Sequence, residues 1–282
     1  MNQQNSISRR TALKTALASI GASASLAGCM DQSDTGTPTE REETSEQTTS
    51  EEEEEESQSI ISSVKTEGTD LVVKRNPEVS IDRITLANPN RQLAGNADMT
   101  VATTARFNIA DHVPGEHTIT AVKDRKPVES QTITLRPEIE IIEAGPGTSD
   151  PSLDWDKRSS RWKFRGFVRI RNTGNAPEGI RSLSFSGGVP APTTDSNSPL
   201  NGIRRGKSVN IGADSTKAIR TEHVPFGNVQ NEDVTCGTEL KFTVEVETKN
   251  LDKTIQKEFI AKYGEGSGEP PLGCDIEVLS DE

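Results

Sequence analysis

The sequence predicts an all-β protein, two β-sandwich domains set behind a disordered acidic stalk. Three observations carry that expectation. Beyond residue 59 the chain breaks into short runs in which apolar and polar residues alternate, the period of a half-buried strand. Gly, Pro and Asn punctuate those runs. Through the first half of this region no 3.6-residue period lasts beyond two turns.

Taken in chain order, residues 1–28 form a signal peptide. Ser8-Arg9-Arg10 is followed by Leu13-Lys14 and an Ala-rich apolar stretch that ends in Leu26-Ala27-Gly28-Cys29. As a helix that stretch would span roughly 18 Å, too short for a hydrocarbon core of about 30 Å. The pair Arg9 and Arg10 resembles the twin-arginine export signal, with Ala12 where that signal usually carries Phe. Leu26-Ala27-Gly28-Cys29 resembles the lipobox of prokaryotic lipoproteins, and implies a lipid thioether on Cys29 with cleavage just before it. Two lipid chains hold a protein stably where one is marginal. The mature chain is thus expected outside the cytoplasm, anchored to the outer face of the cell membrane through Cys29. An ordinary cleaved signal with an incidental cysteine is the plainer alternative.

Residues 29–59 are the lipidated cysteine and the stalk. From 31 to 59 there is no aliphatic or aromatic side chain, and residues 51–56 are six consecutive glutamates. Such a segment cannot bury enough apolar surface to offset its ordering entropy, and like-charge repulsion extends it to at most roughly 100 Å. A specific acidic docking site is the competing reading. Of the formal net charge of −12, the stretch 31–57 supplies most, with 12 acidic residues against Arg41. Without a positive surface, nucleic-acid binding is not expected. Low aromatic content with many Thr, Asp and Glu suits a chain working in high salt, like the exported lipoproteins of halophilic prokaryotes.

Residues 60–137 are read as the first sandwich. Met99, Val101, Ala105, Phe107 and Ile109 share one face of an alternating run, and two strands after Pro114-Gly115 meet at a turn within Asp124 to Pro127. Residues 138–282 are read as the second. There Trp162, Phe164, Val168 and Ile170 alternate with Lys163, Arg165, Arg169 and Arg171; Leu240, Phe242, Val244 and Val246 with Lys241, Thr243, Glu245 and Glu247; and Ile255, Phe259, Ala261 and Tyr263 lie in phase. A single extended β domain is the alternative architecture. V-R-I-R-N-T-G-N-A-P, residues 168–177, resembles the strand and Asn-x-Gly-Asn turn of immunoglobulin-like, cell-adhesion-related modules of prokaryotic surface proteins, and residues 115–135 look like the last two strands of such a module. That resemblance implies a scaffold or adhesion role and transfers no site residue.

Cys236 and Cys274 remain. An exported chain meets an oxidising compartment, where two unassigned cysteines most simply pair; free thiols are the alternative.

No catalytic constellation emerges, so a non-enzymatic protein without cofactor or metal is expected. Asp111, His112, Glu116 and His117 flank Pro114-Gly115 and read as turn chemistry, although two His and two carboxylates could hold a metal. A blue-copper site needs a His and then a Met after its Cys, and none follows Cys236 or Cys274. Gly206-Lys207-Ser208 lacks the phosphate-loop glycine, since position 201 is Asn201. Asp150, Asp154 and Asp156 fit no EF-hand spacing and read as a solvated turn beside Trp155, with calcium as the sharper alternative. Arg165, Arg169 and Arg171 read as a solvated face paired with Glu245 and Glu247, or else as a site for carboxylates or acidic glycans. His223 sits in a loop with no nucleophile elbow in the chain. The function expected is a lipid-anchored envelope protein that presents its sandwiches for protein or glycan contact. The alternative is a solute-binding or accessory lipoprotein of a transport system, which the lack of an α/β pattern disfavours.

Overall fold

A computed structural model describes residues 59–192, 208–227, 231–266 and 273–280. The export signal with Arg9 and Arg10, the lipobox ending at Cys29, the acidic stalk as far as residue 58 and residues 202–207 lie outside the described residues. Within them the chain is nearly all β, and no helix is long and apolar enough to cross a membrane.

Seven strands build the first sandwich: β1 (Ile61–Glu67), β2 (Asp70–Arg75), β3 (Arg83–Ala87), β4 (Leu93–Asp98), β5 (Thr104–Asn108), β6 (Gly115–Lys123) and β7 (Lys126–Leu135). They form antiparallel sheets of order β1-β2-β5 and β4-β3-β6-β7. Leu71, Val73 and Phe107 from one sheet close on Ile84, Leu86 and Ile119 from the other, and all six are buried. β6 and β7 meet in a two-residue turn in which Asp124 and Arg125 both have positive φ, 50° and 63°. That backbone twist matches the strands it joins. Pro127 follows inside edge strand β7, where its missing N–H interrupts no ladder on the open side.

The second sandwich repeats this strand order and adds one strand. It comprises β8 (Ile139–Pro146), β9 (Gly166–Asn172), β10 (Glu178–Gly187), β11 (Val209–Ile211), β12 (Ser215–Arg220), β13 (Glu239–Thr248), β14 (Thr254–Tyr263) and β15 (Ile276–Ser280). Its sheets run β12-β9-β8 and β11-β10-β13-β14-β15. The first sandwich splits as strands one, two and five against four, three, six and seven. The second splits its first seven in the same way and lets β15 extend the edge beyond β14. Both are immunoglobulin-like. The second core is aromatic: Phe185, Phe242 and Phe259 stack at centroid spacings of 6.1 and 5.6 Å, and Phe226 stands edge-on to Phe185 and Phe242. Tyr263, buried beside them, donates to the Gly188 carbonyl at 2.7 Å. Cys236 and Cys274 form a disulfide that closes a 38-residue separation.

Two expectations need correction. Val101 is 89% exposed, off the face expected for it. The alternation breaks because Asp98 accepts hydrogen bonds from the backbone and hydroxyl of Thr100, while Arg75 holds the Ala102 carbonyl, so β5 starts only at Thr104. Trp162 and Phe164 lie not in β9 but in a 3₁₀ turn, Ser160–Phe164, capped by the Ser159 hydroxyl. β9 begins after it, at Gly166, where a Cβ would meet the Phe185 ring at 2.9 Å.

The sandwiches meet at the turn that follows β9. The Asn172 amide is fully buried and donates to the carbonyls of Ala176 (2.7 Å) and Gly212 (3.0 Å), while its oxygen accepts from the backbone of Glu138 and Gly174. Asn175 bonds the Arg136 backbone and the Thr134 carbonyl, and Ala176 is buried in the core of the first sandwich. A Cβ at Gly174 would fall 2.2 Å from the Arg136 carbonyl oxygen, so only glycine fits. The β13–β14 turn supplies a second contact. Glu178, itself buried, accepts from the backbone of Gly179, Lys249, Asn250 and Leu251, and this presents Lys249 to Asp111 (2.6 Å) and Asn250 to the Ala110 carbonyl (2.9 Å).

Replacing Asn172 by Ala is expected to cost about 3 kcal/mol in urea unfolding, because buried N–H and C=O groups lose their partners. Asn172→Asp should do no better, since a carboxylate would face carbonyl oxygens. An unchanged midpoint would show that the turn is held by something else. Removing the disulfide with Cys236→Ala and Cys274→Ala should lower stability by up to about 4 kcal/mol, read from the same denaturation curves.

Candidate functional site

The connection from β8 to β9 runs from residue 147 to 165, long enough to build a surface of its own. It is firmly held. Gly147 lies so close to the Trp162 carbonyl that a Cβ would sit 2.2 Å from its oxygen. Trp155 is buried, its indole N–H donates to the Asp150 carbonyl at 2.8 Å, and its ring centroid is 6.2 Å from that of Trp162. Asp150 in turn binds Arg169 of β9 at 2.6 Å.

This connection forms one wall of an open groove of about 690 Å³. Strand β12 and the residues up to Glu222 form the other. Four cations line the groove, Arg158, Arg165, Lys217 and Arg220, together with the carboxylates Asp154, Asp156 and Glu222. The Arg220 guanidinium lies 5.9 Å from the Trp155 ring centroid and 3.7 Å from Asp154. Arg158 grips Asp156 through two hydrogen bonds of 2.8 Å, which holds that carboxyl down at about 2. Arg165 differs from the others: its Nε is buried and has no acceptor among the described residues.

The three aspartates expected in a solvated turn are each committed to an arginine: Asp150 to Arg169, Asp154 to Arg220 and Asp156 to Arg158. Hydrogen bonds from Ser152, then Arg169, hold the Asp150 carboxyl below its ordinary value. Among the described residues no three His, Cys, Asp or Glu side chains gather as metal ligands. The expected pairing of the arginine face with Glu245 and Glu247 is not what forms. Arg169 binds Glu143 at 2.8 Å and Arg171 binds Glu140 at 3.1 Å, both from β8. The reason is topological, since β9 lies between β8 and β12 whereas β13 belongs to the opposite sheet.

The histidines serve the fold. His112 and His117 donate Nδ1–H to the backbone carbonyls of Ile109 and Gly115, and their rings lie 6.2 Å apart. Burial lowers both pKa values. His112 also meets the Asn250 amide at the joint between the sandwiches. His223 is buried edge-on against Phe185 with both ring nitrogens unpartnered among the described residues, and burial alone lowers its pKa to about 4.

Sequence reasoning singled out Trp155 and Arg165 but missed Lys217 and Arg220. The run Ser215–Arg220 carries its cations 50 residues from Arg165, and only the pairing of Ala218 with Arg169 brings them to the groove.

No family model matches the chain, and no curated protein matches it. Solved structures are similar at low identity. A two-domain fibronectin type III segment of chicken tenascin is 14% identical, covering 77% of this chain and 96% of that one with a TM-score of 0.25. Fibronectin(III)-like modules of Clostridium thermocellum CbhA are 13% identical over 70% of this chain and 88% of that one, TM-score 0.18. A glycosyl hydrolase family 2 member from Bacteroides cellulosilyticus is 10% identical over 69% of this chain, TM-score 0.22, and this chain spans only 24% of its length. The architecture described above stands on strand pairing alone.

The folded-state pKa of His223 lies below the value of about 6.5 in an unfolded chain, so the unfolded state takes up the extra proton between pH 6.5 and 4. Its contribution to stability is complete above pH 6.5 and falls as pH drops through that window, by as much as about 3 kcal/mol. His112 and His117 act in the same direction. His223→Leu should retain stability at pH 7 and lose much of the decline, as measured by denaturant midpoints at pH 7 and pH 4.5.

Proposed function

We propose that the chain is a membrane-anchored envelope lipoprotein whose two immunoglobulin-like sandwiches make contact with protein or glycan outside the cell, as a binding module and not an enzyme. The observation that carries this reading is the Cys236–Cys274 disulfide. It favours an oxidising compartment, and it leaves Cys29, the only other cysteine, to a separate role at the end of its lipobox. The Arg9-Arg10 pair supports export and the acidic run supports a spacer between membrane and sandwiches. Contact, as opposed to catalysis, is supported by the employment of the histidines: two on backbone carbonyls, one against an aromatic core.

Substituting Cys29→Ser should release the protein from the membrane fraction into the medium or wash. Retention of the variant on membranes would remove the anchoring claim. In the same cells, cross-linking of the wild-type protein followed by mass spectrometry should return envelope proteins or glycoconjugates above background, and a return of none would remove the contact claim.

A further inference from the structure

We infer that the groove between the β8–β9 connection and β12 binds an acidic polysaccharide, a polymer of sugar rings that carries carboxylates at intervals. This deepens the contact reading above and rests on it.

The groove contains a mixed set of charges, and the mixture selects the ligand. Arg165 and Lys217 present a planar fork and an ammonium suited to carboxylates, the Arg above all because it can bind both oxygens at once, while Arg158 and Arg220 are held by Asp156 and Asp154. Asp154, Asp156 and Glu222 stand among them as acceptors. A densely charged polyanion, such as an acidic peptide, would be repelled by those three carboxylates. A uronate polymer offers both partners: widely spaced carboxylates for the cations, and ring hydroxyls that donate to the aspartates and glutamate.

Arg165 marks the point of attachment. Arg165 lines the groove and makes no ion pair among the described residues, whereas Arg158 and Arg220 each hold a carboxylate, so its guanidinium is the one there that a ligand carboxylate can engage without displacing a partner. The walls around it are preset by Gly147, by the indole bond of Trp155 and by the Asp150–Arg169–Glu143 chain of ion pairs, so little ordering remains at binding.

The position suits an outward-facing site. β8 leaves the joint at Ile139 and reaches the connection at Pro146, and β12 runs from the joint at Ser215 to the groove at Arg220. Ser59 lies at the opposite end of the first sandwich, held by Glu129 near the start of β7, whereas β7 ends at the joint. The chain thus enters at one end and carries its groove at the other.

Both tryptophans of the protein, Trp155 and Trp162, sit in this connection, and Trp155 lines the groove, so tryptophan fluorescence reports on this connection. The full chain is titrated with polygalacturonate, with dextran as the uncharged polymer and poly-L-glutamate as the acidic peptide, and gel retardation in polygalacturonate provides a second readout. Polygalacturonate should bind saturably and dextran should not. Arg165→Gln should weaken binding about tenfold while its urea midpoint stays near that of the wild type, and Lys123→Gln, at the end of β6 in the first sandwich, should leave binding unchanged. Absence of polygalacturonate binding by both readouts, or equal affinity in Arg165→Gln, would overturn the inference. Tighter binding of poly-L-glutamate would replace the polysaccharide with an acidic peptide and overturn it too. If the groove fails while surface cross-linking still returns partners, the envelope-contact reading stands without it.

Discussion

The buried amide of Asn172 is the interaction on which the rest of this structure depends. It sits where three strands converge, paired with Ile139 of β8 and Ser215 of β12, and its side chain ties the entry to β8, the turn after β9 and the corner between β11 and β12. Every one of its polar atoms is satisfied, which is what makes a buried amide tolerable at all. The turn it fixes then inserts Ala176 beneath the first sandwich, so a local hydrogen-bond network becomes the joint between two domains. Glu178 performs a parallel service one strand later, drawing four backbone N–H groups around a single carboxylate and thereby shaping the hairpin tip that touches Asp111.

Much of the fold was legible in the sequence where one sheet face is buried and the other is wet. β13 and β14 read cleanly because Phe242, Val244 and Val246, or Phe259, Ala261 and Tyr263, recur at every second position over a long run. The resemblance of residues 168–177 to an immunoglobulin-like strand and turn points to β9 and the Asn172 turn, though not to their role as a joint, since nothing local announces which distant carbonyls an asparagine will meet. Alternation misled where side-chain hydrogen bonds override it. Asp98 captures Thr100 and takes Val101 out of phase, and Ser159 caps a helical turn that carries Trp162 and Phe164 away from the strand.

The groove was half visible for a related reason. Its first wall is contiguous in sequence, and Trp155 with its flanking aspartates stands out. Its second wall reaches it only through antiparallel pairing of β9 with β12, although β10 and β11 separate the two in the chain. The same pairing logic redirects the arginine face: a partner is decided by which strand lies adjacent, and β8 supplies Glu140 and Glu143 where the sequence suggested β13. Charge pairs so exposed contribute little individually. Their effect is geometric, since the Asp150–Arg169–Glu143 chain orients the connection that carries Trp155.

The register of β1 bears on how the protein would carry load. β1 begins beside Ser59, at the end of the first sandwich away from the joint, and lies antiparallel to β2 with pairs from Ile61–Arg75 to Glu67–Asp70. A pull entering at residue 59 and resisted beyond the joint runs along β1, so these rungs share the tension as shear and do not peel open one at a time. The first groups to feel it are the backbone N–H of Ile60 and Ile61, both clamped by the carboxylate of Glu129 from β7. Tension is thereby transferred at once from the first sheet to the second, and a chain tethered at one end and gripped at the other would resist extension as a single body.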